Sequence, residues 1–536
     1  MEKTIKIALI SSFTADLIPP LVSKNLTDFG VYPNWYIAPF NQIASEVKAT
    51  GSPVKRFGPA IILLLFSSED FLEKKAGTLS LIKEYARNFP RSAILVTNSY
   101  LLQSQQLGLY KINNPQSVFY QINKANQELV ELAGTLKNVY LLDFSNVQPL
   151  FDPRMYYLAK IPFSGSGLEM VAALLARSIQ AVLGRRKKCL VLDLDNVLWG
   201  GILAEDGMEH LKLDINGEGR AFYDFQNQIL ELYKSGIIIA ICSKNDEKRA
   251  LNAIKKLPYM ILREDKFAVV RINWLDKVQN IRSIAKELNL GLDSLVFLDD
   301  SPFERSAVKK LLPEVIVPEM PEDFSLYPTF LAKMPYFDTV SLSEEDTKRG
   351  ELYVQERKRN ELKETAVSFD NFLKSLHIKV SIKKADNWSL PRVAQLTQKT
   401  NQFNLSLNRY QEADIAALMK KKGTNVLSIS AKDDLGDAGI VGVAILKINK
   451  KEAFLDTFLM SCRVLGRGVE EAFVYEVAEL AKKLGAKKIK AKFNLKEKNL
   501  MVKAFLLKTG FVERMNHFWL DLKSLPILPY WIKIDN

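Results

Sequence analysis

From residue 1 to about 340, short apolar runs alternate with longer amphipathic stretches, and a chain with that rhythm buries parallel strands beneath helices. The first series holds IKIALIS, AIILLLF, SAILVTN and NVYLLDF, with helical segments such as FLEKKAGTLSLIKEYARNF between them. The basic stretch GRRKK at 184–188 interrupts it, and a second series follows: CLVLD, GIIIAIC and SLVFLD. Two α/β domains are expected, 1–186 and 187–340. Residues 341–368 are densely charged with few apolar anchors, which suits an exposed connecting helix. From 369 to 536 the runs HIKVSIKKA, NVLSISA, GIVGVAILKI and EAFLDTFLM read as consecutive antiparallel strands interleaved with helices. A chain of 536 residues is too long for one core and fits three domains.

Composition excludes several classes. An apolar fraction of 47% with 10% aromatic residues belongs to a globular chain, neither fibrous nor disordered. The longest apolar run, GPAIILLLF, is too short for a bilayer, and MEKTIKIALISSF lacks the features of a signal peptide, so a cytoplasmic protein without membrane attachment is expected. Cys189, Cys242 and Cys462 form no CxxC pair and suggest neither a disulfide framework nor a zinc site. The net charge of +13 suits an acidic protein or a phosphorylated substrate. No basic stripe is interleaved with aromatics, so no nucleic acid is expected.

The stretch LVLDLDNVLWGG at 190–201 sets two carboxylates, Asp193 and Asp195, at the end of a buried strand. Ligands of parallel α/β sheets bind at the carboxyl ends of the strands. Alternation lets both acids face one site, the first as nucleophile and the second as general acid and base. Acids this close repel, and Mg²⁺ is the hard cation that oxygen ligands of this kind select. Three further residues follow in order: Ser243 ends a second buried strand, Lys277 precedes a helix, and Asp299 with Asp300 ends a third strand. Singly, Ser243 and Asp300 also read as helix caps and Lys277 as solvated surface. As an ordered set they resemble the haloacid dehalogenase-type phosphatase superfamily. That resemblance implies an aspartyl-phosphate on Asp193 and a leaving group protonated by Asp195. It further implies a Mg²⁺ site from Asp193, Asp195 through its carbonyl, Asp299 and Asp300. The intervals between Asp193, Ser243 and Lys277 leave no room for a large cap, so a capless Rossmannoid domain open to bulky substrates is expected.

Near the carboxy end, DTFLMSCRVLGRGVEEAFVYEVAELAKKLG reads as a strand, a glycine-rich loop and a long helix. Arg463, Gly466, Arg467 and Gly468 would let backbone N–H groups approach a pyrophosphate at the helix N-terminus. The loop resembles that of GCN5-related acyltransferases, which implies coenzyme A or a pantetheine arm as its ligand. Leu506 stands where many such enzymes place a general-acid tyrosine, so ordinary amine acetylation is not implied.

Taken together, DLDNVLWGG, CSKNDE, LTQKTNQFNLS and LMSCRVLGRGVEEA resemble the FkbH-like proteins, over roughly residues 187–520. That resemblance implies transfer of a glyceryl unit from 1,3-bisphosphoglycerate, a small phosphorylated three-carbon substrate. The acceptor would be the phosphopantetheine thiol of an acyl carrier protein, as in polyketide biosynthesis. A thiolate beside Arg463 and a helix N-terminus is favoured, which makes Cys462 the first candidate for the thioester. Cys242, next to Ser243, is the alternative, and both also read as small buried apolar residues; Cys189 begins a core strand and reads as core. The run TQKTNQFN reads equally as a ligand for the pantetheine arm or the glycerate and as a polar capping loop. Two other functions fit the same chain: a small-molecule phosphatase fused to an acetyl-CoA-dependent acetyltransferase, and a non-catalytic scaffold.

In the first domain, ISSFTADL, LVTNSYL and FDPRMYYLAKIPFSGSG resemble the blocks of SGNH-type hydrolases, with Ser12 near the nucleophile position and Asn98 near an oxyanion donor. The histidines are His210, His377 and His517, so residues 1–186 hold no imidazole to activate a serine. A non-catalytic SGNH- or flavodoxin-like domain that docks the carrier protein or supports assembly is expected, with the three histidines structural.

Overall fold

The first strand, β1 (Lys3–Ser11), is apolar enough to be buried on both faces and pairs in parallel on both edges. It belongs to a computed structural model that describes residues 3–27, 29–100, 108–145, 151–342, 344–400, 403–492, 500–514 and 517–535. β2 (Val31–Ile37), β3 (Ile61–Leu65), β4 (Ala93–Thr97) and β5 (Val139–Leu142) complete a parallel five-stranded sheet in the order β2-β1-β3-β4-β5. That is the flavodoxin-like order of doubly wound sheets. Its two faces are closed by separate apolar clusters, one around Leu9, Leu63 and Leu175 and one around Ile10, Leu64 and Tyr85.

A four-stranded sheet follows, built from β6 (Cys189–Leu192), β7 (Ile238–Ser243), β8 (Phe267–Ile272) and β9 (Leu295–Leu298) in the order β8-β7-β6-β9. The basic stretch between the two series is also held by hydrogen bonds, as is the helix before it. Arg186 donates to the carbonyls of Phe337 (2.8 Å) and Ser235 (2.9 Å), and Arg177 donates to Asp338 (2.7 Å) and to the carbonyl of Ala332 (2.8 Å).

The last sheet has eight strands: β10 (Lys379–Lys384), β11 (Thr424–Asp433), β12 (Gly436–Asn449), β13 (Glu452–Met460), β14 (Lys488–Lys492), β15 (Val512–Arg514), β16 (His517–Asp521) and β17 (Lys533–Ile534). β10 to β13 run antiparallel in sequence, whereas β14 joins β13 in parallel across the helix Val469–Lys483. This is the topology of the GCN5-related acyltransferase fold. Among the described residues pairing with β14 stops at Leu455, while β13 runs on to Met460, so the two strands part there. A bulge at Asp456, between Leu455 and Thr457, sits where they part.

The charged segment forms the helix Glu344–Thr365, and it is not wholly exposed as its composition suggests. Arg357 and Arg359 are buried, and Arg359 grips half-buried Asp433 through both carboxylate oxygens at 2.7 and 2.8 Å. Long cationic side chains can bury their stems while their heads are paired, which composition does not reveal.

Compactness partitions the chain into two units: Met1–Ile237 with Cys242–Ile261 and Ile272–Thr347, and Ile238–Ile241 with Leu262–Arg271 and Lys348–Asn536. Among the described residues no helix is long and apolar enough to cross a membrane.

Candidate active site

β6 and β9 are parallel neighbours with Leu192 opposite Leu298, so the residues that follow them, Asp193 and Asp299, emerge side by side at the carboxyl edge of the sheet. Ser243 ends β7, and Lys277 opens the helix Lys277–Glu287, whose N-terminus is capped by Asp276. Of the readings left open for single residues, those as surface and as cap fail. Lys277 is 3% exposed, and the helix after Ser243 is capped by Asp246 instead.

The Lys277 ammonium lies 2.9 Å from Asp193 Oδ2 and 2.5 Å from Asp299 Oδ2. Burial alone would pull its pKa down, but the two carboxylates outweigh that and hold it above the usual lysine value. Carboxyl oxygens of Asp193, Asp299 and Asp300 all lie within 4.8 Å of one another. Burial raises the pKa of Asp299 to about 6, and the Asp193 carboxylate adds to this; burial and then Asp193 also raise that of Asp300. Asp193 is itself 7% exposed, and its Oδ1 is buried without a hydrogen-bond partner among the described residues. Three clustered carboxylates with one orphaned oxygen fit a hard divalent cation, which would supply the positive charge and the missing partner together.

Asp195 sits apart from this cluster. Its Oδ1 accepts from the Trp199 indole (2.9 Å) and the Leu203 amide (3.2 Å), and its Oδ2 accepts from Asn245 (3.0 Å). Burial raises its pKa, against the pull of the Trp199 indole and the Leu203 amide and with a push from Asp193 and Asp300. A carboxyl so held can keep a proton for a leaving group.

Trp199, Asn245, Asn196 and Arg305 are site residues that sequence reasoning missed. Asn196 takes the left-handed conformation (φ 54°) and donates to Asp300 at 3.2 Å. Buried Arg305 donates to the carbonyls of Asp299 (2.8 Å) and Asp300 (2.6 Å), fixing the turn that presents both acids. Only the asparagine directly after Asp195 offered a signal in the sequence.

Cys189 and Cys242 are free and fully buried, and burial pushes both thiols well above the usual cysteine value. Such thiols are poor nucleophiles. Cys462 opens a short 3-10 helix, Cys462–Val464, and its side chain lies outside the described residues.

The glycine-rich loop is engaged from within. The Gly466 amide donates to Glu470 Oε1 at 2.7 Å, Arg467 pairs with Glu356, and the Arg467 carbonyl accepts from the Trp531 indole at 2.9 Å. Gly468 has φ +90°, and a Cβ there would meet Pro529 and the Trp531 ring at 3.0–3.2 Å. Arg463 lies in the same 3-10 helix as Cys462. Beyond the parting of β13 and β14, the open edge of β13 is taken by the chain itself. Leu405 donates to the Phe458 carbonyl (2.9 Å), and Met460 donates to that of Phe403 (3.0 Å). Within the run 397–404, Thr397 and Asn404 are buried and tie the segment to itself, Asn404 donating to the carbonyl of Thr400 at 3.1 Å; residues 401 and 402 lie outside the described ones.

In the first sheet, the Ser12 hydroxyl donates to Asp70 at 2.5 Å, and Asn98 donates to Asp143 at 2.8 Å. His210 and His377 bind Asp206 and Asp434, in keeping with structural roles.

Two carboxyls just past one strand, a lysine at a helix start and an acidic pair just past a neighbouring strand form the arrangement of a haloacid dehalogenase-type phosphatase domain. The chain is 30% identical to the N-terminal part of the protein BF1531 from Bacteroides fragilis, which contains a phosphatase domain and was solved complexed with Mg. The match has a TM-score of 0.60 and covers 63% of this chain and 95% of that one. The chain belongs to the family of that protein. Residues 6–180 match the family described as FkbH, N-terminal domain. The ribosomal-protein-S18-alanine N-acetyltransferase from Escherichia coli is 14% identical, with a TM-score of 0.23, over 28% of this chain and 99% of that chain. No curated protein matches.

Proposed function

We propose that this chain is a Mg²⁺-dependent enzyme that moves a glyceryl unit from 1,3-bisphosphoglycerate to the phosphopantetheine thiol of an acyl carrier protein, through a thioester on Cys462. The observation that carries it is the cluster of buried Asp193 and Asp299 with half-buried Asp300 around buried Lys277. Asp193, Asp299 and Asp300, with the backbone carbonyl of Asp195, would hold Mg²⁺, whose charge would offset that of the phosphoryl group.

The chain's own residues divide the work. The Cys462 thiolate attacks the acyl carbon, and the C1 phosphate leaves with its electron pair. Asp193 then attacks the phosphorus of the remaining phosphate ester while Asp195 gives its proton to the departing oxygen. Lys277 balances the charge on the phosphorylated aspartate, and Ser243 offers a hydroxyl to a phosphoryl oxygen. Water, deprotonated by Asp195, releases phosphate from Asp193. The glyceryl group finally passes from Cys462 to the carrier thiol, which returns its proton. Cys462 is preferred to Cys242 because burial holds the latter neutral. The self-engaged Gly466 amide counts against a coenzyme A pyrophosphate on this loop, a group that a carrier protein's phosphopantetheine lacks, and so against an acetyl-CoA-dependent acetyltransferase. The reading places the protein in the cytoplasm, where unbridged thiols such as Cys189 and Cys242 are the rule.

The test is intact-protein mass spectrometry after incubation with Mg²⁺ and 1,3-bisphosphoglycerate. An adduct lost in Cys462→Ala and kept in Cys242→Ala supports the reading. Phosphate release from simple esters with no adduct on any cysteine would leave a plain phosphatase.

A further inference from the structure

Asp193 and Asp195 follow β6 one residue apart, yet of the two only Asp193 joins the cluster of acids fit for a cation. Alternation alone would turn both carboxyls to the same side, so other groups must hold Asp195 where it stands. Its donors do so. Oδ1 is taken up twice within its own loop, by the indole of fully buried Trp199 at 2.9 Å and by the Leu203 amide at 3.2 Å. Oδ2 is left for proton transfer, and among the described residues it meets one donor, the Asn245 side-chain amide at 3.0 Å. We propose that Asn245 is the positioning residue of the general acid, aiming Asp195 Oδ2 at the leaving oxygen of a phosphate monoester. The proposal rests on the phosphatase reading of this site.

The place of Asn245 in the chain supports that role. It lies just past Ser243, whose hydroxyl is read as a phosphoryl ligand, so the end of β7 carries both the phosphoryl contact and the guide of the acid. Asn245 is itself held. It is 2% exposed, its Oδ1 accepts from the Asp246 amide at 2.9 Å, and Asp246 caps the helix Glu247–Lys256. With a donor on one side and a carboxylate on the other, the orientation of the amide is fixed before any substrate arrives. Proton transfer in a transition state depends on geometry set in advance in this way.

The chemistry shows where the aim matters. In the first step the Asp193 carboxylate bonds to phosphorus, the bond from phosphorus to the ester oxygen breaks with its electron pair on that oxygen, and the Asp195 proton passes to it. In the second, water attacks the phosphorus and returns a proton to Asp195. The more basic the leaving oxygen, the more the first step needs that proton. A misaimed Oδ2 is therefore felt most with basic leaving groups, whereas a general defect of the fold slows every ester alike.

The test is single-turnover release of the phenol from dinitrophenyl, nitrophenyl and phenyl phosphate by the full chain with Mg²⁺. The parent is compared with Asn245→Leu, which nearly matches the side chain's size without its donor, and with Asn245→Ala. In both variants the loss should grow along the series and be about ten-fold or more larger with phenyl than with dinitrophenyl phosphate. That trend does not depend on how much of a variant folds, so a poorly folding variant still answers. Equal losses with all three esters, or no loss with any, would overturn the proposal. Release by Asp193→Asn, or none by the parent, would instead overturn the phosphatase reading and this proposal with it.

Discussion

A lysine with 3% of its surface exposed stays a cation because two carboxylates hold it. Lys277→Met therefore removes the counter-charge of Asp193 and Asp299 at once, and breaking a buried pair in this way costs about 3–5 kcal/mol. Urea unfolding in chelator should show that loss, together with abolished phosphate release. Near-normal stability would mean that the acids do not depend on the lysine. Glu470 makes a different residue-scale case. Burial, then neighbouring Glu471, raises its pKa to about 7 from the ordinary 4.5. Between those values the folded chain keeps a proton that the unfolded chain loses, so this group's contribution to stability falls as pH rises through that window. Glu470→Gln, which still accepts from the Gly466 amide, should stabilise the chain at pH 8 by about 1–3 kcal/mol and by much less at pH 5. Equal gains at both values would contradict the burial of a charge there.

Strand ends were the legible elements. Asp193, Ser243 and Asp299 could be placed from sequence because apolar runs of strand length stop at or just before them, and parallel sheets present such ends to one edge; Lys277 could be placed from the helix that begins with it. Their supporting partners could not, since Asn245 reaches Asp195 and Arg305 reaches back to Asp299 only once the chain has folded. The glycine-rich loop shows the same limit. Its glycines do take positive φ at 466 and 468, as an anion-gripping loop needs, yet an acid four residues on accepts the Gly466 amide. Packing of the last sheet makes a sharper prediction. Gly442 on β12 lies against β13, and a Cβ there would meet Met460 Sδ at 2.3 Å, Ile429 at 2.7 Å and the Leu459 carbonyl at 3.1 Å. Gly442→Ala should destabilise the chain by about 1–3 kcal/mol through overpacking. Phosphate release at low temperature should persist, and a variant as stable as the parent would show that Met460 and Ile429 give way freely.

At the scale of the whole molecule, the fold class was readable from rhythm, because periodicity survives without knowing any contact. The packing of the charged helix was not, since Arg357 and Arg359 are buried in spite of their charge. The net charge of +13 suits both a polyanionic substrate and an acidic carrier, and it would speed their encounter rather than choose between them. What distinguishes the proposed enzyme from a phosphatase is the order of events: acyl capture on a thiol first, removal of the second phosphate at Asp193 afterwards. The most direct measurement is the mass of the adduct on Cys462, and then on a holo carrier protein, after incubation with Mg²⁺ and 1,3-bisphosphoglycerate. The account predicts a glyceryl adduct for the parent and a phosphoglyceryl adduct for Asp193→Asn. The same mass from both proteins, or no adduct on either thiol, would contradict it.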